Sequence, residues 1–158
     1  MEYTREINIQ PGQNSGESKI MAIEKTFVML KPDCIKRGLV GEVIARIERK
    51  GYRIADAKLL HLDEAILRIH YAHKADKPYF PDIVSYMTSG PVMAMIVEGE
   101  NAVLGVRIMM GATDFEDGTA GTIRGDFAYC TSNNIIHGSD SAESARAEVE
   151  RFFGTEQR

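Results

Sequence analysis

Apolar residues recur at regular intervals from about Ile23 onward, whereas the first twenty residues are mostly polar. Pro11, Gly12 and Gly16 interrupt any regular period in that first segment. A segment of this kind buries too little apolar surface to join a core. We therefore predict one domain over residues 21–158, preceded by a disordered extension or leader over residues 1–20. Met21 is a candidate for an alternative start of the chain.

Four segments have the short apolar or β-branched pattern of buried strands. They cover residues 26–30, 52–61, 91–97 and 127–131. The first is stopped by Lys31-Pro32-Asp33, because a proline removes a backbone donor and favours a turn.

Segments whose apolar residues recur at helical spacing lie between these strands. Apolar residues at Val40, Val43, Ile44 and Ile47 predict a helix that stops at Gly51. Asp63 is a suitable cap for a helix that runs towards Tyr71, and a further helical segment covers residues 83–87. Two more helices are predicted, one from Asn101 to Met109 and a final one that Ser141 opens and that runs through Phe152. The glycine-rich residues 111–125 have no sustained apolar period and predict a long functional loop.

The resulting order is β-α-β, a helical insertion, and a second β-α-β. This is the split pattern of a ferredoxin-like α+β fold, with helices packed on a four-stranded antiparallel sheet. The chain of 158 residues has the length of one domain.

Charge and cysteine content narrow the function classes. The net charge of −4 argues against nucleic-acid binding driven by phosphate neutralisation. Cys34 and Cys130 are far apart, which makes a zinc cage or a disulfide framework a poor fit and favours a reducing compartment. No apolar run approaches the ~18 residues of a membrane helix. We expect a cytoplasmic protein that does not bind membranes.

The sequence contains neither G-x-x-x-x-G-K-[ST] nor G-x-G-x-x-G, so any bound phosphate must be held by side chains. Arginine suits a multi-oxygen anion and lysine supplies a point charge. The candidates are Lys31, Arg107, Thr113, Arg124 and Asn134. Taken singly, each charged residue is more often a solvated surface group.

His137 lies in the segment Asn134-Ile-Ile-His-Gly-Ser-Asp-Ser141, which we expect to join the fourth strand to the last helix. Imidazole is mostly neutral at pH 7, so one ring nitrogen can attack phosphorus without a separate base. The alternative is a histidine in the core or at a helix cap.

This segment and four others together resemble the nucleoside diphosphate kinase family over about residues 24–153. The other four are residues 26–33, 37–42 (Arg-Gly-Leu-Val-Gly-Glu), 89–91 (Ser-Gly-Pro) and 121–127 (Gly-Thr-Ile-Arg-Gly-Asp-Phe). The resemblance implies transfer of the γ-phosphoryl group of a nucleoside triphosphate to a nucleoside diphosphate. It implies a phosphohistidine intermediate, ping-pong kinetics and little base specificity.

The resemblance also assigns roles to individual residues. It places the phosphorylated nucleophile on His137, the base-stacking aromatic on Tyr79 and the tyrosine near the histidine on Tyr71. Glu148 matches the acidic partner that orients the ring, and we expect Ser139 to hold that carboxylate. The implied phosphate contacts are Lys31, Arg107, Thr113, Arg124 and Asn134. On local sequence alone, Tyr71, Tyr79 and Glu148 could instead be packing or surface residues.

Three positions depart from the usual pattern of the family. Cys34 stands where glycine commonly follows Lys-Pro-Asp, which puts a glycine-only backbone conformation in question. Tyr79 replaces the more frequent phenylalanine and keeps the stacking face. Asp114-Phe115 replaces Asn-Pro, which puts the conformation of the protruding loop in question.

We expect Mg²⁺ on the nucleotide phosphates and no metal site built from protein side chains. His70 and His73 have i, i+3 spacing but are interpreted as surface helix residues, because no nearby residue completes a metal site. The expected partners are nucleoside tri- and diphosphates and further copies of the chain, in a tetramer or hexamer. The alternative function is a ferredoxin-like nucleotide- or RNA-binding module in which the histidine is structural.

Overall fold

The computed structural model describes residues 22–154, and four strands form one sheet in that range. The strands are β1 (Ile23–Leu30), β2 (Arg53–Leu60), β3 (Val92–Glu100) and β4 (Ile136–Gly138). The sheet order is β2-β3-β1-β4, and each neighbouring pair is antiparallel. The predicted ferredoxin-like α+β fold is confirmed. Residues 1–20 and the predicted boundary at Met21 lie outside the described range.

Helices connect and cover the strands. They are α1 (Pro32–Lys36), α2 (Val40–Arg49), α3 (Glu64–His70), α4 (Phe80–Met87), α5 (Ala102–Met110), α6 (Ile123–Phe127) and α7 (Ala142–Phe153). Two short 3₁₀ turns lie at Ala72–Lys74 and Phe115–Asp117. None of the helices in residues 22–154 combines the length and apolar character needed to cross a membrane.

Side-chain alternation along β1 divides the core into two layers. Phe27 and Met29 face one layer, which also contains Leu67 of α3 and Phe152 of α7. Val28 and Leu30 face the opposite layer, formed mainly with α2, α5 and α6. The sheet is therefore covered by helices on both faces within the described chain.

The prediction of a fourth strand at residues 127–131 is wrong. Phe127 ends α6, and the strand that pairs with β1 is instead Ile136–Gly138, with Met29 opposite His137. Residues 127–131 have aromatic and β-branched side chains but no ladder partner, and pairing across the sheet decides the assignment. His137 consequently lies within the sheet rather than in a connecting loop.

Capping residues define the helix starts as predicted. The Asp63 carboxylate accepts from the Ile66 amide at 2.9 Å, and Ser141 Oγ accepts from the Ser144 amide at 3.0 Å. The predicted loop 111–125 is partly helical, because it contains the 3₁₀ turn Phe115–Asp117 and the start of α6, which Thr122 caps in the same way. Cys34 lies buried inside α1, a helix that the sequence did not predict. A helical backbone needs no glycine, so cysteine at position 34 fits the local conformation although glycine is common there in the family.

Candidate active site

Strand β4 places His137 on the face of the sheet that carries Phe27. Its neighbour Ile136 points into the opposite core layer, so alternation along the strand turns His137 towards α3 and α7. Ile135, one residue earlier, has φ of 58°, a left-handed conformation that is unusual for a β-branched residue. Its carbonyl accepts from the Lys31 amide at 2.8 Å. The strained residue is thus held between the end of β1 and the start of β4.

Glu148 of α7 orients the His137 ring. His137 Nε2 lies 3.0 Å from Glu148 Oε1, and Ser139 Oγ donates to the other carboxylate oxygen. Glu148 is only 8% exposed. Since a carboxylate only accepts, Nε2 carries the proton and Nδ1 keeps its lone pair. Burial lowers the pKa of His137 below its ordinary value, although Glu148 acts in the opposite direction.

Lys31 lies at the end of β1, and its Nζ donates to Asn134 Oδ1 at 2.7 Å. The two residues are 103 positions apart and meet because β1 and β4 pair at this point. Burial, and then the charge of Arg124, lower the pKa of Lys31 to about 7. When no anion is bound, the charged and the neutral forms of this lysine are therefore both populated near neutral pH.

Arg124 of α6 is 6% exposed and is held by three acceptors. One terminal nitrogen donates to the Ile136 carbonyl at 2.7 Å. The other donates to the Gly111 carbonyl at 3.3 Å and to Thr113 Oγ1 at 3.4 Å. Burial, and then Arg107, lower the pKa of Arg124 to about 10, which still leaves it charged at neutral pH.

These groups surround a cavity of about 780 Å³. Arg107 of α5 also reaches it and donates to the Gly138 carbonyl at 3.4 Å. Tyr79 is 48% exposed at the cavity wall, and the Tyr71 ring centre lies 6.5 Å from that of His137. The predicted residues that line the cavity are Lys31, Tyr71, Tyr79, Arg107, Thr113, Arg124, Asn134, His137 and Glu148. Ser139 is buried behind Glu148 and supports it instead.

The cavity residues that were not predicted include His70, Lys74 and Arg151. The interpretation of His70 as a surface residue is wrong, because it is 7% exposed and its ring centre is 4.6 Å from that of His137. A signal was present in the sequence, since His70 follows the buried Leu67 by three positions on the same helical face. His73 is exposed, as expected.

His70, His137 and Glu148 also form a group of three potential metal ligands, with donor atoms within 4.8 Å of one another. His137 and Glu148 already bond each other, and Arg151 lies 3.2 Å from His70. Arg107, Arg124 and Lys31 add further positive charge around the same cavity. We therefore assign no resident cation to this group.

Comparison with known proteins identifies the family. A sequence model described as nucleoside diphosphate kinase matches residues 24–158. The nucleoside diphosphate kinase of Thermus thermophilus is 52% identical over 135 residues, which are 85% of this chain and 98% of that protein. The corresponding enzyme of Moorella thermoacetica is 50% identical over 133 residues, which are 84% of this chain and 96% of that protein.

A solved structure agrees with this result. The halophilic nucleoside diphosphate kinase of Halobacterium salinarum, in complex with CDP, superposes with a TM-score of 0.82 and 44% identity. The alignment covers 85% of this chain and 90% of that one. The fold, the sequence relatives and the family model agree, and the chain belongs to the nucleoside diphosphate kinase family.

Proposed function

We propose that His137 Nδ1 accepts the terminal phosphoryl group of a nucleoside triphosphate and passes it to a nucleoside diphosphate. The overall reaction is that of the family, and nucleotides are its substrates. The observation that supports the role of His137 is the 3.0 Å contact of its Nε2 with Glu148 beside a cation-lined cavity. That contact leaves Nδ1 as the ring atom with a free lone pair.

In the first half-reaction, the Nδ1 lone pair forms a bond to the γ-phosphorus. The bond between that phosphorus and the β,γ-bridging oxygen breaks, and the nucleoside diphosphate leaves with the electron pair. The proton stays on Nε2, where the Glu148 carboxylate stabilises the positive charge that the ring acquires. In the second half-reaction, a terminal oxygen of another nucleoside diphosphate attacks the phosphohistidine, and Nδ1 leaves with its lone pair restored.

The cations act mainly by position and charge. Lys31, Arg107 and Arg124 line the cavity that contains His137, and Arg124 is fixed in place by protein acceptors. Phosphoryl transfer needs little covalent chemistry beyond the nucleophile, so preorganised charge is the main catalytic contribution. Thr113 and Asn134 are polar neighbours of Arg124 and Lys31 and are assigned as neutral phosphate contacts.

Tyr79 is proposed to stack on the nucleobase. Its ring is half exposed at the cavity, at the start of α4. An aromatic face stacks on any base for about 1–3 kcal/mol without reading base edges. This supports a broad substrate range that includes purine and pyrimidine nucleotides.

Kinases of this class use a divalent metal, and we assign Mg²⁺. No three carboxylates among residues 22–154 come close enough to form a cation site by themselves. The separate aspartates that line the cavity, Asp82, Asp114 and Asp140, fit an ion held mainly by nucleotide phosphates and water. When bound there, Mg²⁺ neutralises phosphate charge. We also expect the chain to assemble into a symmetric homo-oligomer.

A labelling experiment with γ-labelled ATP tests the role of His137. The wild type should form an acid-labile, base-stable phosphoprotein, and His137→Ala should form none while it still binds nucleotide. His61→Ala is a matched control, because His61 is exposed. Equal labelling of His137→Ala and wild type would contradict the assignment. It would instead support a binding module with a structural histidine.

A further inference from the structure

His70 and His137 converge on the same carboxylate oxygen. His137 Nε2 lies 3.0 Å from Glu148 Oε1, and His70 Nδ1 lies 3.8 Å from that oxygen. The His70 side chain is fully buried, and its ring stands edge-on to His137 at an interplanar angle of 72°. The proposed phosphotransfer step does not use His70.

The proton position on His70 matters for His137. A neutral imidazole carries its proton on either Nδ1 or Nε2. With the proton on Nδ1, His70 would donate to Glu148 Oε1 after a shift of less than about 1 Å. That shift would draw the carboxylate away from His137 and weaken the contact that keeps the His137 proton on Nε2.

Arg151 prevents this arrangement. Its NH1 group lies 3.2 Å from His70 Nδ1, and a guanidinium has donors only. His70 Nδ1 must therefore accept, and the His70 proton must be on Nε2. Burial lowers the pKa of His70 to about 2, so the ring stays neutral.

The cost of this arrangement is visible in the structure. His70 Nε2 is buried and has no hydrogen-bond partner among the described residues. A buried donor without an acceptor is destabilising. The contact with Arg151 therefore imposes the Nε2–H tautomer of His70, although that proton has no acceptor among the described residues.

Arg151 is well placed to act on the pair. It is three residues after Glu148 on α7, so both side chains extend from the same helical face. Arg151 also lines the cavity, which leaves direct attraction to the nucleotide phosphates as the competing explanation.

We propose that Arg151, acting through His70, is a positioning residue that keeps Glu148 Oε1 available to His137. By this means it holds His137 in the tautomer whose Nδ1 is the nucleophile. The inference rests on the proposed role of His137 and adds Arg151 and His70 to the groups on which that role depends.

A double-mutant cycle separates this role from a direct charge effect. Phosphoenzyme formation is measured in single turnovers for Arg151→Met, Arg151→Lys, His70→Phe and Arg151→Met/His70→Phe. Arg151→Met should slow the step by about tenfold or more, with nucleotide affinity changed much less. Arg151→Lys retains a donor and should recover most of the rate. In the His70→Phe background, Arg151→Met should have little further effect. Arg146→Met is the matched control, because Arg146 is an exposed arginine of the same helix.

A second measurement covers the case in which His70→Phe does not fold. ¹⁵N NMR of the imidazole rings should show His137 as the Nε2–H tautomer in the wild type, and a mixture of tautomers in Arg151→Met. An unchanged His137 tautomer would overturn the inference, and so would an equal loss of rate from Arg151→Met in both backgrounds. Labelling of wild-type His137 by γ-labelled ATP is scored separately. Its absence would count against the proposed function, whereas its presence with an additive cycle would count against Arg151 alone.

Discussion

Arg124 donates to the carbonyl of Ile136, the residue directly before His137, at 2.7 Å. The bond ties the proposed phosphate-binding cation to the strand that carries the proposed nucleophile. The charge is therefore in place before the nucleotide arrives, which is the condition under which electrostatic stabilisation is most effective.

Arg124→Ala should reduce turnover by about 10²-fold or more, because it removes one preorganised charge aimed at the transferring group. Arg124→Lys should recover little, since an ammonium cannot span the acceptors at Ile136, Gly111 and Thr113. Single-turnover kinetics with ATP measures the effect, and the exposed Arg146→Ala serves as the control. A variant that lost only affinity would show that Arg124 does not act on the transition state.

Tyr79→Ala should weaken nucleotide binding by up to about 1–3 kcal/mol, with a smaller effect on turnover. Stacking is similar in the ground state and the transition state, so its loss is expected mainly in binding. The loss should be alike for ATP, GTP and CTP. Tyr129→Ala is a matched control, because Tyr129 is 61% exposed and does not line the main cavity. A turnover defect confined to one base would contradict the stacking role.

The pH dependence of nucleotide binding should reveal the protonation of Lys31. Its pKa of about 7 means that the free enzyme loses this charge as the pH rises through neutrality. Bound phosphate favours the protonated lysine, so binding takes up a proton and affinity falls as pH rises above the pKa of the free enzyme. The affinity should drop by about tenfold from pH 6 to pH 8.

Lys31→Gln should remove that component of the pH dependence and leave only the contribution of the nucleotide's own phosphates. Calorimetry in buffers of different ionisation enthalpy would report the proton uptake directly. If wild type and Lys31→Gln had parallel pH profiles, the lowered pKa of Lys31 would have no part in binding.

Cys34→Gly should lower the free energy of unfolding by about 1–3 kcal/mol while activity is retained. The Cys34 side chain is 0% exposed, packs in the core layer with Val28 and Leu30, and lies in helix α1. Glycine would leave a small void there and lose helix propensity. Urea unfolding measures the change, with the partly exposed Cys130→Ala for comparison. A more stable Cys34→Gly variant would show that the cysteine is strained.

Local patterns were sufficient for much of this fold. The apolar spacing from Val40 to Ile47 predicted α2, and Asp63 and Ser141 marked two helix starts, because capping depends on neighbouring residues only. Strand β4 could not be found in this way. It has three residues, and its partner β1 lies more than a hundred positions earlier in the chain.

In the functional site, too, some contacts were predicted from the sequence and others depend on the folding of distant segments. The resemblance placed His137, Glu148 and Ser139 in one network, and the structure brings their side chains together. The contact between His70 and Arg151 could be found only from the three-dimensional structure. The two residues are 81 positions apart, and neither belongs to a motif that predicts the other. A buried histidine on a short helix resembles any core residue until its neighbours are known.

The proposed mechanism requires phosphorylated His137 to be an intermediate on the reaction path. The most direct measurement isolates the enzyme labelled from γ-labelled ATP and adds unlabelled nucleoside diphosphate in a rapid-quench instrument. Peptide mapping should find the label on His137, and the label should move to the added diphosphate at least as fast as steady-state turnover. A label on another residue, or a transfer slower than turnover, would contradict the account.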